Sequence, residues 1–299
     1  MRPALFEPLR LEAHELLDSG DGQKLERFGD VTLVRPDPQA LWSRRAPRSL
    51  WDEADLVFVR ESDRGGRFER GRGRKGPDDG WEVDGWEVTV EGARLLLRPT
   101  PFKHVGLFPE QATNWRWMLE RLAACGERPR FLNLFGYTGA ASVLAARAGA
   151  EVTHVDASKS VLAWVRDNAV RSGLGDRGLR VLLEDSLGFV RREVRRGTRY
   201  DGILLDPPHY GRGPKGEKWQ LETGLAPLLA ACGELLAERS FLCLSTYAVG
   251  YSPLSLANLL ADLPGGEVEA GELGLIESST ASSDAPRVLP CGFCARWTR

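Results

Sequence analysis

Asp206-Pro207-Pro208-His209-Tyr210 follows the apolar run Tyr200–Leu205 and opens into the glycine-rich stretch GRGPKGEKW. An acid and two prolines at the tip of a buried strand make a rigid polar ledge, unsuited to a helix or sheet interior. At such a ledge the Asp206 carboxylate and the Pro207 carbonyl can hold the hydrogens of an exocyclic amino group. Its lone pair is then aimed at an electrophile, and proline fixes the carbonyl that does the aiming. Tyr210 offers a face on which a planar base can stack. Pro207-Pro208 can also be read as a plain strand terminator. His209 is read as solvent-facing or structural rather than as a base.

About seventy residues upstream, the apolar run Phe131–Phe135 leads into Gly136-Tyr137-Thr138-Gly139. Glycines let the backbone turn tightly and let a ligand lie against it, while the following helix starts with exposed amides. A pyrophosphate cradle would read GxGxxG, but residues 136–141 read GYTGAA, with Thr138 at the middle glycine. A nucleoside joined to an amino acid, without phosphate, needs no such cradle. S-adenosylmethionine fits that description. Asp156 ends the strand VTHV and can accept hydrogen bonds from both ribose hydroxyls; it can equally cap SKSVLAWV, a task open to Ser158. Asp185, between Glu184 and Ser186, can accept from an adenine amino group or cap the next helix. Asn133, Phe135, Gly136, Tyr137, Thr138, Gly139, Asp156, Ala157, Ser158, Asp185 and Ser186 form the candidate cofactor set.

These tips need a scaffold. Apolar runs predict strands at 131–135, 152–155, 179–184, 200–205, 240–245, 267–276 and 287–297. Helical spacing predicts helices from Pro109 onward and at 138–148, 158–171, 187–195, 223–237 and 252–262. The alternation implies an α/β fold, a doubly wound, mostly parallel seven-stranded sheet with its strand C-termini on one edge. Residues 1–100 are different. DVTLVRP, WEVDGWEVTV and ARLLLRP are short, rich in Val, Trp and Thr, and carry hairpin signals at Asp84-Gly85 and Glu91-Gly92. They predict a smaller antiparallel β module. The expected domains are 1–100 and 101–299.

Residues 60–80, RESDRGGRFERGRGRKGPDDG, are too poor in apolar side chains for a packed core and read as a solvated loop. The sharper reading of 60–76 is an arginine-glycine arm gripping RNA. With a formal net charge of −2, the chain has no global pull toward nucleic acid, so any basic footprint must be local. The first twenty residues interleave charges with apolar side chains, and no run of eighteen apolar residues occurs, so neither signal peptide nor membrane span is expected. An odd count of five cysteines suits a reducing cytoplasm. Cys291-Gly-Phe-Cys294 lacks a second ligand pair for zinc and sits in a strand-like sequence, so no metal is expected.

Taken together, FKHVGLFPEQATNW (102–115), FLNLFGYTGAAS (131–142), the VDAS around Asp156 and LDPPHYGRGPKGEKW (205–219) resemble class I S-adenosylmethionine-dependent methyltransferases. More narrowly, over residues 80–299 the chain resembles the family of large-subunit ribosomal RNA cytosine-C5 and guanine-N7 methyltransferases. The resemblance implies that 104–111 borders the cofactor pocket, bringing Gln111 and Phe108 near it. The family's PUA domain has no evident counterpart. Its cytosine-C5 members attack the ring with a cysteine just past the fifth strand, where this chain has Ser245-Thr246-Tyr247; Cys243 lies about 7 Å down the strand. Attack by a nitrogen of an RNA base is therefore the leading expectation. The alternatives are a small-molecule or protein acceptor, or a cofactor-binding scaffold without catalysis.

Overall fold

A computed structural model describes residues 4–62, 65–73, 85–175, 178–247, 250–278 and 285–299. The chain divides into two compact units: Glu7–Ala112 with Gly274–Cys291, and Met1–Phe6 with Thr113–Leu273 and Gly292–Arg299. The division thus falls some twelve residues past the expected boundary, and Gly274–Cys291 goes with the N-terminal unit.

Strand β1 (Ala4–Leu5) belongs to the second unit. In the first unit, β2 (His14–Gly20), β3 (Gln23–Phe28) and β4 (Val31–Pro36) form an antiparallel meander. The short helix α1 (Arg48–Asp52) then leads to β5 (Leu56–Ser62), parallel to β4, and β6 (Gly65–Arg70) returns antiparallel on β5. A separate hairpin joins β7 (Trp86–Val90) to β8 (Ala93–Leu97). Its turn residues Glu91 and Gly92 take φ of 47° and 76°, the positive values a two-residue hairpin turn requires.

The expected loop over 60–80 needs correction at its start, because Gly65–Arg70 is a strand. Phe68 packs edge-on against Phe58, ring centroids 5.2 Å apart, and Arg67 pairs with both Glu61 and Glu69. Cross-strand contacts supply what composition lacked. Residues 74–84, including Asp84 of the expected hairpin turn, lie outside the described residues.

Period-two spacing puts Lys24, Glu26 and Phe28 on one face of β3. Glu26 is fully buried. It accepts from Arg35 Nε (2.9 Å) and Nη2 (2.6 Å) and pairs with His14 Nε2 at 3.0 Å, while Lys24 Nζ stands 3.6 Å away. Burial opposes ionisation of Glu26, yet Arg35, Lys24 and His14 hold it well below the usual carboxylate range. Burial keeps His14 below its ordinary value, favouring the neutral ring.

The second unit continues with α2 (Ala112–Ala124), β9 (Arg130–Leu134), α3 (Ala140–Arg147), β10 (Glu151–Asp156), α4 (Lys159–Arg171), β11 (Leu179–Leu183), α5 (Ser186–Arg195) and β12 (Tyr200–Leu205). After these come β13 (Tyr210–Arg212), β14 (Lys218–Gln220), α6 (Leu221–Gly233), β15 (Leu236–Thr246), α7 (Pro253–Ala261), β16 (Glu267–Ile276) and β17 (Val288–Thr298). The main sheet runs β1-β16-β17-β15-β12-β9-β10-β11. All seven expected strands are present, and two-residue β1 adds an eighth beside Gly271 and Glu272. Strands β11, β10, β9, β12 and β15 are parallel, whereas β17 runs antiparallel to β15. Ile203, Leu205, Leu132 and Leu134 are buried in its core, closed by Phe189, Leu228 and Leu256 from the helices. The chain leaves β9 for β10 and β11, then crosses back to β12 on the other side of β9. Such a reversal opens a crevice at the carboxyl ends of β9 and β12.

GRGPKGEKW, read from sequence as a loop, carries the antiparallel pair β13–β14. No described helix is long and apolar enough to cross a membrane.

Candidate active site

The strand register decides which residues meet at the crevice. Leu205 is level with Leu134, Leu134 with Val155, and Asp156 with Leu183. On the other flank Leu205 is level with Leu244. The positions just beyond therefore carry Asp206, Phe135, Asp156, the Glu184-Asp185 pair and Ser245, side by side along one sheet edge.

Beyond β9 the backbone alternates in handedness: Phe135, Tyr137 and Gly139 take φ of 55°, 49° and 84°. Two non-glycine residues in that region mark a conformation imposed by its surroundings. Gly136 sits tightly over a polar support, where a Cβ would stand 2.4 Å from His154 Cε1 and 2.8 Å from Asn133 Nδ2. Asn133 donates to Ser142 Oγ (2.8 Å), which pairs with His154 Nδ1 at 2.9 Å. Burial pushes His154 down to about 3, so this support is uncharged. From the side, Asn168 Nδ2 donates to the Thr138 carbonyl at 2.9 Å.

Asp156 closes the loop from the neighbouring strand. Its Oδ2 accepts from Tyr137 N–H (3.1 Å) and its Oδ1 from Ser158 N–H (2.9 Å). Burial raises its pKa, against the pull of these amides and that of Ala157. Ser158 caps α4, accepting from Val161 N–H, so Asp156 is spared that task. Asp185 does cap α5: its Oδ2 accepts from Gly188 N–H at 2.7 Å.

Not every candidate side chain faces the crevice in the same way. Asn133, Thr138 and Ser186 are buried, and Asn133 turns its amide down to Ser142 as a support. Phe135, Gly136, Tyr137, Asp156, Ala157, Ser158 and Asp185 are half-buried at the edge. Phe135 leans on Trp219, centroids 4.8 Å apart. Gln111 ends the 3-10 turn Pro109–Gln111 of the other unit, its N–H donating to the Phe108 carbonyl.

The ledge itself is fixed by residues outside the candidate set. Desolvation pushes Asp206 up to about 6, opposed by a hydrogen bond from Ser245. Trp219, buried in the main core, donates its Nε1–H to the Pro208 carbonyl at 2.7 Å. Leu221 N–H donates to the His209 carbonyl at 2.9 Å. His209 pairs through Nε2 with Glu222 Oε1 at 2.6 Å, and Tyr210 is 51% exposed. Ser245 was visible as the next strand tip in line with Asp206; Trp219 gave no local signal. Cys243 lies deeper, its Sγ 3.7 Å from that of Cys294, and both thiols are fully buried. The neighbouring thiol and burial drive Cys243 well above its ordinary pKa, leaving it a poor nucleophile. Cys291 Sγ lies 3.3 Å from the Leu289 carbonyl, and among the described residues no His, Cys, Asp and Glu cluster is placed to hold a metal.

Residues 76–258 match the family described as S-adenosylmethionine-dependent methyltransferase. The chain belongs to that family. A crystal structure of an S-adenosylmethionine-dependent methyltransferase from Agrobacterium tumefaciens is similar over 100% of this chain and 94% of that one, with 40% identity and a TM-score of 0.92. Ribosomal RNA large subunit methyltransferase K/L of Shewanella amazonensis is 30% identical over 71% of this chain and 30% of its own length. Ribosomal RNA large subunit methyltransferase K of Neisseria meningitidis is 27% identical over 66% of this chain and 54% of its own. The methyltransferase thus spans only part of the length of these curated relatives.

S-adenosylmethionine suits this donor set. Asp156, Asp185 and Asp206 make the edge acidic, which favours a sulfonium and an ammonium and disfavours phosphate. Asp156→Ala in the methyltransferase is expected to weaken S-adenosylmethionine binding by about 1–3 kcal/mol, the usual loss for a charge-assisted hydrogen bond. Titration calorimetry measures it, and unchanged affinity would remove Asp156 from the cofactor's contacts.

Proposed function

We propose that this methyltransferase acts on a nitrogen of a base in ribosomal RNA, in the cytoplasm. One observation carries the reading: Asp206 stands half-buried at the switch point, hydrogen-bonded to Ser245 and next to a proline ledge pinned by Trp219. That arrangement suits a planar acceptor whose amino hydrogens need two acceptors in fixed positions. The names of the two curated relatives support RNA as the polymer.

When bound, the cofactor supplies an electrophilic methyl group on sulfur. The chain's residues do the positioning. Asp156 holds the ribose hydroxyls, Asp185 takes the adenine amino group with the oxygen left over from capping, and the loop 135–139 lies under the amino-acid portion. The Asp206 carboxylate and the Pro207 carbonyl accept the acceptor's N–H bonds and direct its lone pair, while Tyr210 stacks on the base after it leaves its helix.

The near-neutral net charge of −2 favours a second reading, a small-molecule or protein acceptor in the same pocket. Transfer of a tritiated methyl group into separated RNA, protein and metabolite fractions distinguishes them. Label in RNA is the expected result; label confined to protein or metabolites would end the RNA reading.

A further inference from the structure

The ledge continues directly into the β13–β14 hairpin, whose two faces differ in chemistry. In its register Gly211 lies opposite Trp219, Tyr210 opposite Gln220 and Arg212 opposite Lys218. Alternation sends Trp219 into the core, where its indole holds the Pro208 carbonyl. Tyr210, Arg212, Lys218 and Gln220 share the other face, and all four are exposed.

Arg212 directly opposite Lys218 is an unfavourable pair. Like charges facing each other across two strands destabilise the pairing, and neither side chain forms an ion pair among the described residues. The hairpin's own acid does not relieve them, since Glu217 folds back to accept from Lys215 N–H at 2.8 Å. Lys215 adds a third exposed cation at the turn. It feels the field of Glu184, but Arg192 already grips that carboxylate. Three exposed cations on a hairpin continuous with the ledge call for a polyanion.

We propose that the outer face of this hairpin holds the phosphodiester backbone flanking the base presented to Asp206, with Arg212, Lys215 and Lys218 as the phosphate contacts. This rests on the RNA reading above. It places the RNA grip beside the chemistry rather than in the 60–76 segment, where Arg67 is held by two carboxylates.

The test compares the wild type with Arg212→Ser/Lys215→Ser/Lys218→Ser, using as acceptor total RNA from cells lacking the gene. Methyl transfer is measured as KM against salt concentration. The triple variant should raise KM tenfold or more near 0.1 M salt. The slope of log KM against log salt should fall by about 2, since each contact to single-stranded RNA contributes about 0.7. Its affinity for S-adenosylmethionine should be unchanged, which reports an intact fold. A charge-preserving Arg212→Lys/Lys215→Arg/Lys218→Arg variant should retain the wild-type slope. An unchanged slope in the serine variant, with wild-type transfer into RNA intact, overturns the hairpin assignment and leaves the RNA reading standing. A lowered slope in the charge-preserving variant also overturns it. Wild-type transfer to protein or metabolites alone overturns both. Should the triple variant fail to bind cofactor, Lys218→Gln decides: an unchanged salt slope counts against the assignment, and a fall of about 0.7 supports it.

Discussion

Asp206→Ala lowers methyl transfer by about 10²–10³-fold while leaving S-adenosylmethionine binding largely intact; this is the expected result of single-turnover and calorimetric measurements. The loss comes from an acceptor that is still bound but no longer aimed. Transfer unchanged by the substitution would remove Asp206 from the chemistry, and a wild type that binds cofactor without any transfer would be a scaffold. The same carboxyl gives the reaction a pH dependence. Burial raises Asp206 from the ordinary 3.8 to about 6, and the ionised group is the stronger acceptor for the amino hydrogen it holds beside the Pro207 carbonyl. The rate with limiting acceptor should therefore rise through about pH 6 and level off above it. The stability term has the opposite sign: the folded chain keeps a proton that the unfolded chain loses near 3.8, so this group's stabilising contribution disappears as pH rises to about 6. Ser245→Ala removes the hydrogen bond that lowers the value, and the acid limb should move to higher pH. Ser245→Thr, which keeps the hydroxyl, should leave it in place.

Glu26→Ala is expected to destabilise the protein by about 3–5 kcal/mol, read from the first unfolding transition in urea. It strips the buried Arg35 of its carboxylate and leaves Lys24 with Asp37 alone, 3.3 Å away. Glu26→Gln should recover part of the loss by preserving shape and hydrogen bonding. A change below about 1 kcal/mol would mean that water enters and solvates the two cations. The linkage follows from the direction of the shifts. Because Glu26 is held well below the ordinary 4.5, its contribution is complete above that value and is lost as pH falls through its folded value. His14, also lowered, loses its share on the same side, as pH falls below the ordinary 6.5.

The parallel sheet could be read from sequence because its strands are continuous apolar runs, such as Tyr200–Leu205, each stopped by a polar or glycine-rich tip. The same feature exposed Asp156, Asp185 and Asp206 as candidates. What stayed hidden depends on neighbours distant in sequence. Tyr210–Arg212 and Lys218–Gln220 have little β propensity of their own; Trp219, anchored in the core of another layer, makes them a hairpin. Gly65–Arg70 became a strand through Phe58 and Glu61. QKLERF looks like a solvent-facing stretch until Arg35 arrives from one adjacent strand to neutralise Glu26 and His14 from the other to hydrogen-bond it. Apolar periodicity reports burial well, but a buried charge looks like an exposed one until its partners are known.

Strand β17 is made after both β15 and β16, yet it lies between them. During translation, the slot it fills must stay open until residues 288–298 have left the ribosome, with two strand edges unsatisfied meanwhile. A nascent chain stalled before that point would present a template for pairing with other chains, which makes chaperone shielding of the unfinished sheet most valuable late in synthesis.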